Sequence, residues 1–555
     1  MPSTPSLPQQ DDVAHPARVR PATVFSRRLP YWIDPAVAFD LLHGEASHAV
    51  WLDAGAGATA GMSYVAAAHA GSRFVTASAE SGTVTCSRPL DATDAPRTTR
   101  GSIFDVLRAD LGTAGAAPAP APTPPDPTAD GFRLGWVGWF GYGLAAPPAP
   151  TRPAQTHTAP MTPAAPHLGG TPPDAAFLFV DRAIAFDHAA RTVTLLAITA
   201  PDVTAAGIDA WALDTARLLG AGLEDAAPSA VSQPDTALPD TALPDTALPD
   251  TVAPPVPASP DGASADPLAV RWRHDAVEYA RLIEACQERI VAGDAYQLCL
   301  TNEVTVAGRF DPLEVYRRLR AGSPSHHGAL LRFGAFALLS ASPEEFLSVS
   351  PGGRLRTRPI KGTRPRSADP TMDRLLRDEL LASDKERAEN LMIVDLMRND
   401  LGRVAELGSV AVTSLLQVES YPHVHQLVST VEARLAPGLS AIDAIQACFP
   451  AGSMTGAPKA SAMRILAALE GGDRGVYAGA FGYLGVDGAV DLAMVIRSIV
   501  LGPAGASIGT GGGITALSVP LEEIEETHIK ARALIAAIRA SSPAAEAADG
   551  QGLVT

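Results

Sequence analysis

Short apolar runs separated by polar turns fill much of the first 226 residues, and this pattern is typical of β-strands. It predicts strands at residues 49–54, 132–142 and 175–186. One segment differs, because apolar residues recur at roughly helical spacing from 204 to 219 and predict a helix there. The first part of the chain is therefore predicted to be mainly β-sheet.

The second half of the chain mixes the two periodicities. Helices are predicted at residues 275–292 and, after Pro458, at 460–469, whereas residues 335–347 and 354–360 have the short β-rich pattern. Elements of both kinds in one chain favour an α+β fold in which sheets pack against each other and helices lie outside.

A low-complexity run divides the chain, since the pentad PDTAL begins at Pro234, Pro239 and Pro244. A proline every fifth residue blocks helix and sheet, and acidic residues keep the run solvated, so residues 227–266 are predicted to be a semi-extended linker. At 555 residues the chain exceeds what one hydrophobic core normally supports. We therefore expect folded units at 26–226 and 267–540, disordered tails at 1–25 and 541–555, and surface loops at 117–130 and 145–173.

The charge balance narrows the classes of function. A formal net charge of −17, from 60 acidic and 43 basic residues, argues against a nucleic-acid or anionic-membrane surface. No stretch approaches the ~20 apolar residues of a membrane span. Residues 1–20 are polar and proline-rich without the apolar centre of a secretion signal, so a cytoplasmic protein is expected.

The cysteines point to no metal or redox chemistry of their own. Cys86, Cys286, Cys299 and Cys448 are scattered without metal-type spacing and are predicted to be reduced structural thiols. None lies in the Gly-x-Cys-x-Gly turn that carries the nucleophile of a glutamine amidotransferase. Any ammonia that the chain uses would therefore come from a separate subunit or from solution.

Lys361 is the first candidate for chemistry. It ends an extended segment in TRPIKGTRPR, and Gly362 after it allows the backbone to turn or to approach a ligand closely. A lysine at a strand end is usually a solvated charge. If it is buried beside other charges, however, its ammonium group can lose a proton near neutral pH and attack an electrophilic carbon.

Two segments predict helices that carry paired glutamates. Ser383 followed by Glu386 matches a capping box, and Glu386 and Glu389 then share one helix face. A second helix from about Pro520 repeats the spacing with Glu523 and Glu526, followed by Lys530. Together they could hold Mg²⁺, which prefers oxygen ligands. The alternative is two ordinary acidic helix starts, the second with a Glu526–Lys530 ion pair.

Glycine-rich segments at residues 451–459 and 509–514 lie between these helices in the chain. Consecutive glycines allow backbone N–H groups to converge on an anion, although they more often form ordinary turns. Arg497 lies inside the strand-like segment 492–500. A guanidinium group there needs a carboxylate partner, from the protein or from a ligand.

Nine motifs follow one another from about residue 270 to 540: SPEEF (342–346), RPIKGT (358–363), AENLMIVDLMRND (388–400), VHQLVST (424–430), PAGSMTGAPK (450–459), YAGAFGYLG (477–485), IRS (496–498), GGGI (511–514) and E-x-x-E-T-x-x-K (523–530). In this order they resemble the chorismate-utilising enzymes, which include anthranilate synthase component I, aminodeoxychorismate synthase component I, and the isochorismate and salicylate synthases. Residues 49–54, 135–144 and 173–188 resemble the N-terminal region of the same family. The resemblance implies the fold of anthranilate synthase component I, with packed antiparallel sheets and outer helices.

The resemblance also implies a reaction. The residue before the Gly-Thr pair is generally alanine in anthranilate synthases and lysine in aminodeoxychorismate synthases, and this chain has Lys361. By resemblance, Lys361 attacks carbon 2 of chorismate while Glu344 protonates the departing carbon-4 hydroxyl group. Ammonia then adds at carbon 4 and expels the lysine. A covalent intermediate divides a difficult substitution into two easier steps, and hydroxide leaves poorly without an acid.

A ligand set comes with this resemblance. It implies Mg²⁺ at Glu389 and Glu526, with Glu386 and Glu523 binding directly or through water. The implied substrate-binding residues are Thr363, Tyr483, Arg497, Gly511, Gly512, Gly513 and Lys530. Two departures from the family pattern are Gln426, preceded by His425, where anthranilate synthases often have histidine, and one extra residue near 351–353.

The expected product is 4-amino-4-deoxychorismate for 4-aminobenzoate and folate biosynthesis, with a glutamine amidotransferase subunit as the source of ammonia. One alternative keeps the enzyme class but makes anthranilate, with Lys361 as an exception to the family pattern. Another alternative is a catalytically silent paralogue that regulates an amidotransferase. That function would be indicated by loss of Glu344, Lys361 or a metal glutamate, and all of these residues are present.

Overall fold

The computed structural model describes residues 23–112, 131–145, 170–199, 205–226, 268–323, 325–421 and 424–541. The predicted linker at 227–266, nearly all of the predicted tails, and most of the two proline-rich loops lie outside these ranges. The described strands form two sheets of 12 strands each, paired antiparallel. No helix in the described ranges has the length and apolar character needed to span a membrane.

The first sheet contains, in spatial order, β1 (Thr23–Arg28), β10 (Thr192–Thr199), β9 (Arg182–Asp187), β3 (Met62–Ala67), β2 (His48–Asp53), β13 (His327–Phe333), β14 (Phe336–Ser342), β23 (Ser498–Gly502), β24 (Gly505–Ile514), β12 (Gln297–Ala307) and β11 (Val270–Trp272), with β20 (Gly456–Ala457) paired to β12. The second sheet contains β17 (Ile360–Pro365), β19 (Val424–Arg434), β16 (Arg354–Thr357), β15 (Glu345–Val349), β22 (Val490–Met494), β21 (Ala480–Gly485), β7 (Gly135–Phe140), β8 (Ala175–Val180), β4 (Phe74–Ser78), β5 (Thr83–Ser87) and β6 (Arg97–Arg100), with β18 (Ala411–Ser420) paired to β19.

Both sheets combine strands from the two halves of the chain. In the first sheet β2 pairs with β13, and in the second β7 pairs with β21. The two halves are therefore joined by backbone hydrogen bonds across both sheets. The proposed domain boundaries stay a prediction, since the linker is not described.

The described helices are α1 (Pro35–His43), α2 (Ile103–Leu111), α3 (Ala205–Ala226), α4 (Ala276–Val291), α5 (Pro312–Gly322), α6 (Pro370–Ala382), α7 (Asp384–Gly402), α8 (Ala441–Cys448), α9 (Lys459–Leu469) and α10 (Pro520–Ala540). The helices predicted from periodicity are present, and α3 is longer than expected. Ser383 caps α7 by accepting a hydrogen bond from the backbone N–H of Glu386 at 3.4 Å. Pro520 is the first residue of α10, where its missing N–H has no cost.

Two predicted strands are each divided between the sheets. Residues 175–186 form β8 in the second sheet and β9 in the first, and residues 335–347 form β14 in the first sheet and the start of β15 in the second. Polar residues interrupt the apolar pattern only briefly, at Asp181–Arg182 in the first crossing and at Ser342–Glu345 in the second. The strands on each side are mostly buried, so periodicity does not reveal the change of sheet. The second crossing places Glu344 in the short connection between the sheets.

The main hydrophobic core lies between the two sheets. Leu331 and Leu338 from the first sheet and Phe177 and Leu347 from the second are all fully or almost fully buried in it. Full burial of each such side chain contributes roughly 1.5–3 kcal/mol. The core therefore fixes the strands from which the site described next projects its side chains.

Candidate active site

Lys361 lies within β17, one residue from its start, and not at the end of a strand as predicted. The register between β17 and β19 shifts between Ile360 and Thr363, which places a bulge at the lysine. Gly362 has φ 80°, and a Cβ atom there would lie 2.7 Å from a methyl carbon of Leu380 and 2.9 Å from the carboxyl carbon of Glu386. Glycine is required because α6 and α7 approach the strand so closely.

Glu389 is the ion-pair partner of Lys361, with 3.1 Å between Nζ and Oε2. The two side chains are 16% and 10% exposed. Burial acts to lower the pKa of the lysine, but Glu389 and other negative groups outweigh it, so the pKa of Lys361 lies above its usual value. Without a bound cation the negative neighbours therefore favour the ammonium form, and loss of its proton near neutral pH stays a prediction.

Glu344 lies at the crossing between β14 and β15 and is 7% exposed. Burial raises the pKa of its carboxyl group to about 7, although the Ser453 hydroxyl, Lys361 and the backbone of Ile360 act in the opposite direction. The Ser453 hydroxyl is buried and has no hydrogen bond of good geometry among the described residues. Glu344 can therefore hold or release a proton near neutral pH, as a general acid must.

Two helices bring four glutamates to this site. Glu386 and Glu389 lie near the start of α7, and Glu523 and Glu526 lie near the start of α10. Burial raises the pKa of Glu386, and the charge of Glu389 adds to the rise. Burial likewise raises the pKa of Glu523, with a smaller contribution from Glu526, while a hydrogen bond from Ser518 opposes it. The carboxylates are close enough to repel one another, as a cation site requires.

Each of these glutamates has a basic partner. The nitrogen–oxygen distances are 3.8 Å for Arg364–Glu386, 3.1 Å for Lys361–Glu389, 3.7 Å for Lys385–Glu523 and 2.6 Å for Lys530–Glu526. Within the described part of the chain, the carboxylates do not converge into three ligand atoms close enough to hold one ion. Their chemistry fits Mg²⁺, since all are oxygen donors. Gly512 also leaves room, because a Cβ atom there would lie 2.8 Å from Oε2 of Glu523.

The glycine-rich segment 509–514 lies inside β24 and is not a loop. Gly511, Gly512 and Gly513 pair with Thr301, Leu300 and Cys299 of β12. A Cβ atom on Gly513 would lie 2.1 Å from Nε2 of Gln297 and 3.2 Å from Nζ of Lys361. The glycines therefore allow close approach of side chains to the strand, a role different from the anion-binding turn that the sequence suggested.

Arg497 lies between β22 and β23 and not inside a strand. Its φ of 50° is a left-handed conformation that residues other than glycine rarely adopt. The residue is exposed, yet partial desolvation by its neighbours lowers the pKa of its guanidinium group, while Tyr477 and Glu526 act to raise it. None of the described residues accepts a hydrogen bond or forms an ion pair with this guanidinium group. Arg497 is therefore available to the carboxylate of a ligand.

Tyr477, and not the predicted Tyr483, is the tyrosine next to this arginine. Its ring lies over Gly509, where a Cβ atom would be 2.0 Å from the ring, and the guanidinium group of Arg497 is near enough to act on the pKa of its hydroxyl group. The ring of Tyr483 packs instead against Phe132 and Tyr64, with centroid distances of 4.8 and 6.3 Å. Both tyrosines occur in the motif YAGAFGYLG, so sequence alone did not distinguish them.

The remaining predicted residues lie at the edge of the site. Thr363 is exposed in β17 and pairs with Gln426 of β19. Lys530 donates to the backbone oxygen of Gly511 at 2.7 Å, in addition to its ion pair. His425 is buried and bonds Ser420 and Asp373, which leaves neither ring nitrogen for the lysine site.

Three side chains in or beside the site were missed by sequence reasoning: Gln297, Lys385 and Ser453. Gln297 is 2% exposed, and its side-chain oxygen has no partner among the described residues. Lys385 lies in the segment SDKERAEN (383–390), directly before Glu386. The signal in the sequence that could have indicated Lys385 is the rarity of lysine, which occurs only four times in the chain.

Two other polar clusters lie outside this site. A cavity of about 470 Å³ is lined by Asp400, Arg403 and Lys459 among others, and contains none of the predicted site residues. His327, Glu345 and Asp491 place one ligand atom each within 4.8 Å of one another. Both oxygens of Glu345 already accept hydrogen bonds from the guanidinium group of Arg356, at 3.1 and 2.8 Å.

Comparison with known proteins matches residues 103–536 to the family described as chorismate binding enzymes. The chain is 39% identical over 546 residues to the aminodeoxychorismate synthase of Streptomyces griseus, a match covering 98% of this chain and 68% of that protein. It is 49% identical over 282 residues to the aminodeoxychorismate synthase of Streptomyces pristinaespiralis, covering 51% and 39% of the two chains. The chain thus spans about two thirds of the first relative's length, and the second match spans well under half of that relative.

The fold is similar to the crystal structure of anthranilate synthase component I from Streptococcus pneumoniae TIGR4. The TM-score is 0.60 at 25% sequence identity, and the match covers 90% of this chain and 97% of that one. The predicted α+β class with packed antiparallel sheets and outer helices is confirmed by this likeness and by the two sheets described above.

Proposed function

The chain belongs to the chorismate binding enzyme family, and we propose that it aminates chorismate at carbon 4 to give 4-amino-4-deoxychorismate. The observation that carries the proposal is Lys361, a lysine whose side chain is only 16% exposed and lies beside a carboxyl group with a pKa near 7. Anthranilate synthases generally have alanine at this position. The similarity over 98% of the chain to a protein named aminodeoxychorismate synthase supports the same reaction.

In the first step, the amine of Lys361 forms a bond to carbon 2 of chorismate. Electron pairs shift through the ring, the bond from carbon 4 to its hydroxyl group breaks, and Glu344 supplies the proton with which that oxygen leaves as water. Because Lys361 is held as an ammonium ion beside Glu389, its proton must leave before the attack. Glu389 is the nearest acceptor for that proton.

In the second step, ammonia forms a bond to carbon 4. The electron pairs shift back, and the bond between carbon 2 and the lysine nitrogen breaks. The proton lost by the new amino group restores the acid form of Glu344. The balance is chorismate and ammonia in, aminodeoxychorismate and water out, with the enolpyruvyl group retained. The enzyme is therefore proposed to be a transaminase-type transferase.

Charged groups around the lysine are proposed to hold the two carboxylates of the substrate. Arg497 has no protein partner among the described residues and would bind one of them, with Tyr477 beside it. We propose that Glu386, Glu389, Glu523 and Glu526 hold Mg²⁺, which would neutralise the ring carboxylate. Lys530 and the backbone near Gly512 complete the proposed site.

Ammonia is proposed to come from a glutamine amidotransferase subunit, as the component I resemblance implies. The product would then serve 4-aminobenzoate and folate biosynthesis in the cytoplasm. The cysteines of the described residues support a separate source of ammonia, since three are buried and burial raises the pKa of all four thiols.

Product identification by mass tests this proposal. The full chain is incubated with chorismate, Mg²⁺ and ammonium ions, and separately with a partner glutaminase and glutamine. We expect a product in which a hydroxyl group of chorismate is replaced by an amino group, with no fluorescence from anthranilate. A reaction without ammonium ions serves as the control.

Anthranilate synthesis is the second candidate, because a solved relative is an anthranilate synthase component I. Accumulation of fluorescent anthranilate without an added lyase would replace the proposed reaction with that one. Absence of any turnover with either ammonia source would favour a regulatory paralogue.

A further inference from the structure

Lysine is rare in this chain, and its positions are not scattered. Of 43 basic residues only four are lysine, namely Lys361, Lys385, Lys459 and Lys530. Each lies within 4 Å of a carboxylate oxygen. Three of the four contact the glutamates of α7 and α10. A chain that uses arginine almost everywhere else therefore concentrates its lysines at one carboxylate site.

The two basic residues differ in how firmly they hold a carboxylate. Arginine presents a planar fork that can donate two parallel hydrogen bonds, whereas lysine is a compact point charge on a flexible stem. A lysine ammonium group can therefore move away from a carboxylate more readily than an arginine can. Lysine is the better choice where a counter-ion must be displaced.

Lys385 is the most weakly held basic group among these partners. Its side chain is 54% exposed, and its contact with Glu523 is 3.7 Å long. By comparison, Lys530 also bonds the backbone oxygen of Gly511, the Lys361 side chain is only 16% exposed, and Arg364 also bonds Glu379. All four glutamates nevertheless act on the charge of Lys385. It is the one partner that can swing into solvent without breaking a second bond.

We propose that Lys385 is an exchangeable counter-ion of the carboxylate site, which neutralises Glu523 until a divalent cation binds and displaces the ammonium group into solvent. The four carboxylates do not converge on one point while their basic partners are in place. Displacement of Lys385 removes a positive charge from the point where the cation's charge is added. This role rests on the cation site of the proposed function.

The test is a calorimetric titration of Mg²⁺ into the full chain after treatment with a chelator. We expect Lys385→Gln to bind Mg²⁺ about tenfold more tightly than the wild type, because one competing positive charge is gone. Lys385→Arg should bind about threefold more weakly, because a guanidinium group can donate twice to Glu523 and leaves less readily. The matched control is Arg387→Gln, which removes the same charge from the same turn of α7 and should change the affinity less than twofold.

Thermal unfolding gives a second measurement that needs no substrate. Without Mg²⁺, Lys385→Gln leaves Glu523 without its counter-ion, so we expect a melting temperature below that of the wild type. Saturating Mg²⁺ should remove the difference, since the cation then supplies the positive charge. The stabilisation by Mg²⁺ is therefore expected to be larger in the variant.

Several outcomes would overturn this role. An unchanged or weaker Mg²⁺ affinity in Lys385→Gln would mean that the lysine does not compete with the cation. An equal gain of Mg²⁺ affinity in Arg387→Gln would show that loss of any positive charge near the site has the same effect. A wild type that binds no Mg²⁺ would remove the counter-ion role together with the cation site, whereas the product identified by mass would still decide the proposed reaction.

Discussion

Two networks of paired acidic and basic side chains lie close together in this molecule, and they are built differently. Glu470 and Arg474 are 3% and 8% exposed, and two nitrogens of the arginine donate to the two carboxylate oxygens at 2.6 and 2.8 Å. The same guanidinium group also donates to the backbone oxygens of Met454 and Cys299. Thr301 donates twice more to Glu470. Arg474 thus donates four hydrogen bonds within the protein, and Glu470 accepts four.

The lysine–glutamate site has the opposite character. Lys361 and Lys385 each make one ion pair, Arg497 makes none among the described residues, and Gln297 keeps an oxygen without a partner. A saturated pair is costly to break and has no bonds left for a ligand. Unsatisfied groups in a preformed site cost stability but can bind a substrate. The difference suits the arginine network to maintaining the fold, and it suits the lysine site to the chemistry proposed for it.

Substitution of Lys361 is expected to have the largest effect of the changes considered, and that effect should be on catalytic activity. We expect Lys361→Ala to lower kcat for aminodeoxychorismate formation by about 10⁴-fold, because the covalent route needs the amine. Lys361→Arg should be equally impaired, because a guanidinium group keeps the charge but stays protonated. Steady-state rates with product analysis by mass provide the measurement.

Thermal unfolding of the same variants separates a chemical role from a structural one. Loss of the lysine should lower the free energy of unfolding by about 2 kcal/mol, less than loss of a fully buried partner, because the charge of Lys385 also acts on Glu389 and the pair is partly open to water. Activity of Lys361→Ala within tenfold of the wild type would show that no covalent bond to this residue is needed.

Substitution of Arg474, in the network with Glu470, should lower the stability of the protein. Arg474→Met leaves Glu470 as an unpaired buried charge, so we expect the free energy of unfolding to fall by about 3–5 kcal/mol. A matched control is Arg532→Met, which removes an arginine from the exposed pair with Glu525 and should cost less than about 1 kcal/mol. Thermal unfolding followed by circular dichroism measures both. Equal melting temperatures for the two variants would contradict the division drawn between the networks.

Much of the fold could be predicted from the sequence, because helical and strand periodicities are local. The helices with predicted starts were found near those positions, and Ser383 caps α7 as expected. The two crossings between sheets could not be predicted, since the strands on both sides of each crossing are mostly buried and only the two polar residues Asp181 and Arg182 separate the apolar stretches of β8 and β9. That information lies in long-range pairing, such as β2 with β13.

The composition of the site could be read from motifs, but its electrostatics could not. Lys361, Glu344 and the four glutamates all lie in motifs quoted from the sequence. Nothing local indicates that Lys361 pairs with Glu389, or that Tyr477 rather than Tyr483 adjoins Arg497, because each pairing depends on how separate elements pack against each other. The assignment of these residues to catalysis, substrate and metal stays a prediction.

Glu344 and Glu470 are both buried carboxyl groups, but in the described part of the chain Glu344 has no arginine partner of the kind that Glu470 has. Burial raises its pKa to about 7. As a general acid it must be protonated in the free enzyme, so we expect kcat/KM to be constant at low pH and to fall about tenfold per pH unit well above pH 7. Glu344→Gln should lower kcat by about 10²-fold and abolish this dependence, measured by initial rates from pH 5.5 to 9.

The pH dependence of stability tests the raised pKa of Glu344 independently of activity. Its pKa is raised from 4.5 to about 7 on folding, so the unfolded chain loses the proton first as pH rises. The contribution of Glu344 to stability is therefore complete below about pH 4.5 and is lost as pH rises to about 7, with a slope of at most about 1.4 kcal/mol per pH unit. Glu344→Gln should remove that loss, so its melting temperature should gain on the wild type between pH 5 and 7. A constant difference across this range would mean that Glu344 ionises normally and is held by partners, as Glu470 is.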